Sequence, residues 1–350
     1  MSLDVTYMKR ALQLARNGLG SSAPNPMVGA VIVYRNRIIG EGYTSAYGGP
    51  HAEVNAINAV RDKELLSEAI LYVTLEPCSH HGKTPPCVDL IVKQKIPKVI
   101  IGVLDPHDKV AGKGVNRLKD AACKVTVGVL AKECEDHHRR FLTFHKKQRP
   151  YIILKWAETR DGFIAPDKNK RGLEAQPYWI SNKYARQLVH KWRSQEQAIL
   201  VGTNTVLHDN PMLNVRQWFG KSPIRIFLDK DLKIKGNYHI LDQSVKTIVF
   251  TRVKDKSLWL NGIDYEVIDF TKNRPKQICE VLHKHNITSV LIEGGAKTLQ
   301  SFIDAKLWDE VRVVTGKTNF GNGLKAPKFT GDIVRTLEVE GDCITIYQHD

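Results

Sequence analysis

Hydrophobic positions in the first half of the chain alternate between two periods. From Tyr7 to Asn17 the apolar residues Met8, Ala11, Leu12 and Ala15 follow helical spacing, and Gly18 stands where a C-terminal cap belongs. Val28 to Tyr34 and Arg37 to Tyr43 are rich in β-formers and flank Arg35-Asn36, which predicts a hairpin. His51 to Val60 predicts a helix whose first turn holds His51. Ile70 to Thr74 and Lys98 to Val103 are short apolar runs, the pattern of strands buried on both faces of a parallel sheet, with a helix from Cys87 to Gln94 between them. The expectation is a sheet covered by helices.

The pattern changes at Glu133 to Arg149, a charged segment that ends at Pro150 and predicts a terminal helix leading into a linker. Beyond it, Tyr151 to Trp156 reads as a strand. Apolar runs at Ala198 to Val201, Ile224 to Leu228, Thr247 to Thr251, Ser289 to Ile292 and Val311 to Val314 alternate with helical stretches at Asn182 to Arg193 and Pro275 to His285. That alternation predicts a second α/β domain. A length of 350 residues suits two cores, and the expected division is 1–147 and 148–350. No repeat or low-complexity segment is seen.

Composition narrows the class. Hydrophobic residues make up 42% and charged residues 25%, and no run approaches the ~20 apolar residues of a membrane helix. The N-terminus lacks the basic region and apolar core of a signal peptide, so a cytoplasmic location is expected. Cysteines at 78, 87, 123, 134, 279 and 343 then serve as metal ligands or small buried hydrophobes, the second role falling to the last four. The net charge of +15 is spread through both halves with no basic tail and no basic-aromatic alternation. A solvated surface that attracts anionic small molecules explains it better than a nucleic-acid groove.

The chemistry is concentrated in His51-Ala52-Glu53, Pro77-Cys78 and Cys87. One histidine and two cysteines are the ligand set of a catalytic zinc whose fourth position is left to water, with the water's pKa lowered to about 7. Glu53 is the proton carrier between that water, a ring nitrogen and a departing amine. The order H-x-E, P-C, C is the zinc-deaminase signature, although eight residues separate these cysteines where the common form has two. The competing reading is a closed structural zinc with His80 or His81 as fourth ligand. Gly82-Lys83-Thr84 and Gly112-Lys113-Gly114 do not form a nucleotide loop, because Pro77 replaces the first glycine of one and Gly114 follows the lysine of the other. In the second half, Val290 to Gln300 reads as strand, glycine turn and helix, a cradle for phosphate, and no G-x-G-x-x-G follows any strand.

Taken together, Ala23 to Gly29, Pro50 to Glu53, Glu76 to Cys87, and Asp105-Pro106 with Ala111 to Gly114 resemble the RibD family of bifunctional riboflavin-biosynthesis enzymes. So do Lys155 to Ala157, Asp161-Gly162, Trp179 to Ser181, Gly202 to Thr205, Asp209 to Pro211, Leu213 to Arg216 and Glu293 to Gly295, and the resemblance spans essentially the whole chain. It implies a cytidine-deaminase-like three-layer domain followed by a dihydrofolate-reductase-like α/β domain. The first would deaminate a phosphorylated diaminopyrimidine with zinc, and the second would reduce its ribosyl group with NADPH.

Carried over by position, Asn25 would hold the pyrimidine and Lys83 would help bind the substrate. Ala157, Trp179, Thr205, Asp209 and the turn Gly294, Gly295, Ala296, Lys297, Thr298 and Leu299 would hold the cofactor. Lys155, Arg193, Leu213, Arg216 and Glu293 would hold the reductase substrate. Thr44 departs from the histidine of many members, Pro177 stands where a serine is frequent, and 167–176 form a longer charged loop. A homo-oligomer, dimer or tetramer, is expected, with neither nucleic acid nor membrane as partner. The alternative is an RNA-base deaminase whose C-terminal half grips the strand.

Overall fold

The structure, a computed structural model, describes residues 2–81, 85–106, 112–167, 169 and 175–349. It divides into two compact units, Met1–Gln148 and Arg149–Asp350.

In the first unit, helix α1 (Leu3–Ala15) starts where the Ser2 hydroxyl accepts a hydrogen bond from the Val5 amide, so it begins ahead of the periodic stretch. Strands β1 (Gly29–Tyr34) and β2 (Arg37–Tyr43) form the expected hairpin, with Arg35 and Asn36 both at positive φ, as a two-residue turn matched to strand twist requires. Then follow α2 (Ala52–Ala59), β3 (Ile70–Leu75), α3 (Cys87–Lys93), β4 (Lys98–Val103), α4 (Lys113–Asp120), β5 (Lys124–Val127) and α5 (Ala131–Lys147). The sheet order is β2-β1-β3-β4-β5, with β1 antiparallel to both neighbours and β3, β4 and β5 parallel.

Alternate side chains of these strands enter two cores. Ala30, Ile32, Leu71, Val73, Val99 and Ile101 pack with residues of α2, α3 and α4, whereas Val31, Val33, Tyr72 and Ile100 pack with α1 and Cys134 of α5. Burial on both faces accounts for the continuous apolar runs of β3 and β4. On β2, Gly40 and Gly42 face α2. A Cβ at Gly42 would collide with Ala52 O and Ala56 N, and one at Gly40 with Ala56 O. Two side-chain-free positions two residues apart on the strand thus let α2 lie directly against the sheet. One expectation is corrected: His51 is not in the first turn of α2 but is its extended N-cap, because intrahelical bonding starts when Asn55 N reaches His51 O at 3.0 Å.

The second unit is built on β6 (Tyr151–Glu158), β8 (Ala198–Val201), β9 (Ile224–Leu228), β10 (Thr247–Thr251), β11 (Asp264–Val267), β12 (Ser289–Ile292), β13 (Glu310–Thr315), β15 (Asp332–Val339) and β16 (Asp342–Gln348). A separate pair joins β7 (Phe163–Pro166) to β14 (Gly323–Lys325). The large sheet runs β11-β10-β9-β8-β12-β6-β13-β16-β15, parallel as far as β13 and antiparallel beyond it. Its helices are α6 (Lys183–Gln195), α7 (Thr203–Asp209), α8 (Arg274–Lys284) and α9 (Ala296–Asp304). After β8 the chain proceeds outward to β9, β10 and β11, and then returns to place β12 on the other side of β8. The chain leaving the carboxyl ends of β8 and β12 therefore goes on to strands on opposite sides, and such a switch point is the usual ligand position in these sheets.

Candidate active sites

In the first unit, His51 at the α2 N-cap, Cys78 in the segment after β3 and Cys87 at the start of α3 converge. Their ligand atoms all lie within 4.8 Å of one another, and they form the one His/Cys/Asp/Glu group of this kind among the described residues. His51 Nδ1 is 3.6 Å from Cys78 Sγ and 3.3 Å from Cys87 Sγ. Tetrahedral zinc with its usual bond lengths separates N and S ligands by about 3.5 Å, so both donor chemistry and spacing fit the metal. The Cys87 amide donates to Cys78 Sγ at 3.3 Å, which uses the exposed N-terminus of α3 to favour a thiolate.

The electrostatics follow from crowding. A hydrogen bond from Cys87, followed by the contact with His51, lowers the Cys78 thiol to about 4, and the same bond raises Cys87 well above the thiol range. His51 is raised, chiefly by its bond to Cys78. Glu53, only 3% exposed, is lifted to about 7 by burial and then by the charge of Cys78. A carboxyl group that titrates near neutrality beside a metal triad suits proton transfer in both directions. Cys123, Cys134 and Cys279 are buried and Cys343 half-buried, with burial pushing Cys134 and Cys279 up to about 12, so they act as apolar side chains.

Asn25 sits in the turn before β1, where its backbone is bonded on both sides to Ser22. The loop is held from behind: His137 Nε2 lies 2.8 Å from Met27 O, and Thr74 Oγ1 accepts from Gly29 N. Thr44, 3% exposed, receives the Val28 amide on its hydroxyl at 3.0 Å and returns its own amide to Val28 O. The departure at this position thus serves the loop's backbone. Lys83 lies outside the described residues. Sequence reasoning assigned no role to His137, Thr74 or Glu76, and only Glu76, beside Pro77-Cys78, carried a positional signal.

In the second unit, Glu293 follows β12 and is enclosed by cations. Arg193 donates to it through two nitrogens at 2.8 and 2.7 Å, and Lys155 Nζ lies at 3.9 Å. Burial by itself would raise Glu293, but Arg193 and Lys155 overcome it and hold the carboxyl at about 2. Burial lowers Lys155, with Glu293 opposing and Arg193 adding to the shift. Arg193 also donates to Asn214 O, so its guanidinium is largely committed inside the protein. Arg216 is different: one nitrogen reaches Asn214 Oδ1 at 3.0 Å, and burial with the neighbouring Arg193 and Arg186 lowers its pKa. His190, missed from sequence, accepts the Arg216 amide and is lowered to about 4 by burial and by these arginines.

At the carboxyl ends of β8 and β12, Gly202 N donates to Gly294 O at 2.8 Å, tying together the segments that follow the two strands. Gly294 has φ of +124°, a conformation that only glycine adopts readily. Thr205 in the first turn of α7 faces Gly294 and Gly295, whose missing Cβ atoms leave its hydroxyl within reach of the turn. Gly295 caps α9 without a side chain, so the first amides of that helix, including those of Ala296 and Lys297, are available to an anion. A dinucleotide phosphate fits such a cradle. Thr298 packs against Gly202, and Leu299 and Leu213 are buried in the core, which leaves only their backbones to face a ligand. Ala157 is the penultimate residue of β6, Asp209 closes α7, and Trp179 is 58% exposed with the Arg186 guanidinium 4.5 Å from its ring centroid.

Comparison with known proteins draws the two halves together. Residues 150–342 match the model of the RibD C-terminal domain, and residues 1–103 match that of the cytidine and deoxycytidylate deaminase zinc-binding region. The chain is similar to the riboflavin biosynthesis protein RibD of Aquifex aeolicus, with 38% identity over 340 residues covering 96% of this chain and 92% of the relative. The Escherichia coli protein of the same name is 34% identical, covering 95% and 90%. A crystal structure from Thermotoga maritima, described as a diaminohydroxyphosphoribosylaminopyrimidine deaminase and 5-amino-6-(5-phosphoribosylamino)uracil reductase, matches with a TM-score of 0.88 and 36% identity. The match covers 99% of this chain and 98% of that one.

Proposed function

The chain belongs to the RibD family, and from that premise we propose which of its residues carry each half of the family's activity. It is a bifunctional riboflavin-biosynthesis enzyme. Zinc-dependent hydrolysis removes an amino group from 2,5-diamino-6-ribosylamino-4(3H)-pyrimidinone 5′-phosphate, and NADPH-dependent reduction of the ribosyl side chain then gives 5-amino-6-(5-phosphoribitylamino)uracil. An RNA-base deaminase finds no support, since the C-terminal half matches a reductase domain over 150–342.

His51, Cys78 and Cys87 would hold zinc, which when bound supplies the Lewis acidity that makes water nucleophilic at neutral pH. Glu53 accepts the proton of the attacking water on a carboxylate oxygen and delivers protons to the ring nitrogen and the amine. The new C–O bond replaces the C–N bond and ammonia leaves. Asn25 orients the pyrimidine edge, and Lys83 attracts the phosphate. The observation that carries this reading is the convergence of His51, Cys78 and Cys87, ligand atoms within 4.8 Å of one another, with the buried carboxyl of Glu53 two residues from the histidine.

For the reductase half, Ala157, Trp179, Thr205, Asp209 and the turn from Gly294 to Leu299 would hold NADPH, which supplies the hydride. Arg216 takes the substrate phosphate, Glu293 bonds to substrate hydroxyls, and Leu213 contributes its backbone. Arg193 and Lys155 keep Glu293 ionised and in place, and Lys155 stands beside it to meet the substrate. A homo-oligomer, dimer or tetramer, is supported by edge strand β15, where Ile333 and Val334 are exposed. Light scattering in solution tests it. No helix among the described residues is long and apolar enough to cross a membrane, and six free cysteines are compatible with a cytoplasmic location.

Two assays on one preparation test the assignment. Glu53→Gln should abolish ammonia release from the diaminopyrimidine phosphate and leave NADPH oxidation with the deaminated substrate intact, whereas Arg216→Ala should raise KM for the deaminated substrate in NADPH oxidation and leave ammonia release intact. Loss of both activities in either variant would break the division of labour.

A further inference from the structure

The geometry points to Glu76 as a positioning residue of the metal centre, acting through helix α4 on the segments that present Cys78 and Cys87. The inference rests on the zinc reading above. Glu76 is 3% exposed and ends no ion pair among the described residues. Its carboxylate instead accepts three backbone amides: Asp105 N at 3.2 Å and Gly112 N at 3.0 Å on one oxygen, and Val115 N at 3.1 Å on the other. Gly112 is the N-cap of α4 and has no side chain to offer, while Val115 is the third residue of that helix. Glu76 therefore caps α4 from a different element, placing a full negative charge at the positive end of the helix.

This cap brings α4 against both cysteine segments. Gly114 lies so close to Pro77 O that a Cβ there would collide with it, so the first turn of α4 rests on the peptide immediately before Cys78. One turn on, Arg117 reaches Asp89 at 2.5 Å, and Asp89 lies in the first turn of α3, two residues after Cys87. Val88 N closes the frame on Cys78 O at 3.2 Å. One carboxylate thus fixes a helix that braces each thiolate from outside the ligand shell. Groups hydrogen-bonded to metal ligands commonly change metal affinity by about 10–100-fold, and Glu76, one contact further out, acts at the lower end of that range.

The replacement that discriminates is Glu76→Gln. A glutamine amide has one acceptor oxygen, so it cannot receive amides on both ends, and its own N–H would face an amide donor. Glu76→Asp keeps the charge but draws it back by one methylene, which provides a second variant if glutamine fails to fold. The full-length protein, loaded with zinc and separately with cobalt(II), would be followed by metal release to a chelator and by the visible cobalt spectrum. The thermal transition of the first unit controls for its folding, and NADPH-dependent reduction for that of the second.

The expected result is metal release faster by about 10-fold or more, altered cobalt–thiolate bands and lower deaminase kcat in Glu76→Gln. Glu76→Asp should be intermediate, and reductase turnover should match the parent in both. Parent-like release and spectrum in both variants would overturn the inference while leaving the zinc reading intact. A parent protein that binds no zinc, or a Cys78→Ser variant that binds it as tightly, would sink the zinc reading and the inference with it.

Discussion

Replacing Glu293 by glutamine removes one negative charge from a site where Arg193 and Lys155 remain buried. The cost can be worked from the ionisation of the carboxyl group. Its pKa falls from 4.5 to about 2, a difference of about 2.5 units, and at 1.36 kcal/mol per unit the interactions favour the charged form by about 3 kcal/mol. Measured losses on breaking buried ion pairs are similar, about 3–5 kcal/mol. Because the folded pKa is the lower one, this stabilisation is complete above about pH 4.5 and is lost as pH falls towards 2. For a unit of about 200 residues, 3 kcal/mol corresponds to a fall in Tm of about 6–12 °C.

Thermal unfolding of parent and variant at pH 7, with the transition of the reductase unit tracked by NADPH protection, measures this directly. The gap between the two proteins should narrow between about pH 4.5 and 2. Adding Lys155→Met to the glutamine variant should recover part of the loss by removing an uncompensated charge. A variant within about 2 °C of the parent at pH 7, or a gap that does not change with pH, would refute the claim that Glu293 is held ionised by its partners.

In chelator-treated protein, Glu53→Gln should stabilise the first unit at pH 8 by up to about 3 kcal/mol and leave it unchanged at pH 4. Its folded pKa of about 7 lies above 4.5, so the penalty for the buried charge grows as pH rises through that window; equal melting at both pH values would contradict it. Gly42→Ala should cost about 1–3 kcal/mol and lower ammonia release by pushing α2 and Glu53 off the sheet, with reductase activity as the control. Arg216→Ala should raise KM for the phosphorylated substrate with little change in Tm. Arg193→Ala should lower Tm as well, since it strips Glu293 of its bidentate partner. Identical behaviour of the two arginine variants would argue against that division.

Much of the deaminase site was legible in the chain because its chemistry depends on residue type and short spacing. His51, Glu53, Cys78 and Cys87 announce a metal and a proton carrier whatever surrounds them, and the hairpin at Arg35-Asn36 and the buried strands β3 and β4 follow from local period. The reductase pocket was readable only through family likeness, since Arg193 and Arg216 look alike along the chain. Tertiary structure separates them: Arg193 is bound to Glu293 a hundred residues away, whereas Arg216 reaches Asn214 Oδ1 with one nitrogen and makes no bond to Glu293 among the described residues.

The same holds for Glu76, His137 and Thr44, whose partners lie on other elements and whose roles no periodicity encodes. Residue type, spacing and hydrophobic period thus specify two α/β units, a His-Cys-Cys metal triad and a strand–glycine turn–helix. Folding alone sets which carboxyl groups are charged, which arginine is tied to Glu293 and which loops are braced. Those properties depend on desolvation and on donors brought together across long separations, and neither exists until the strands are in register.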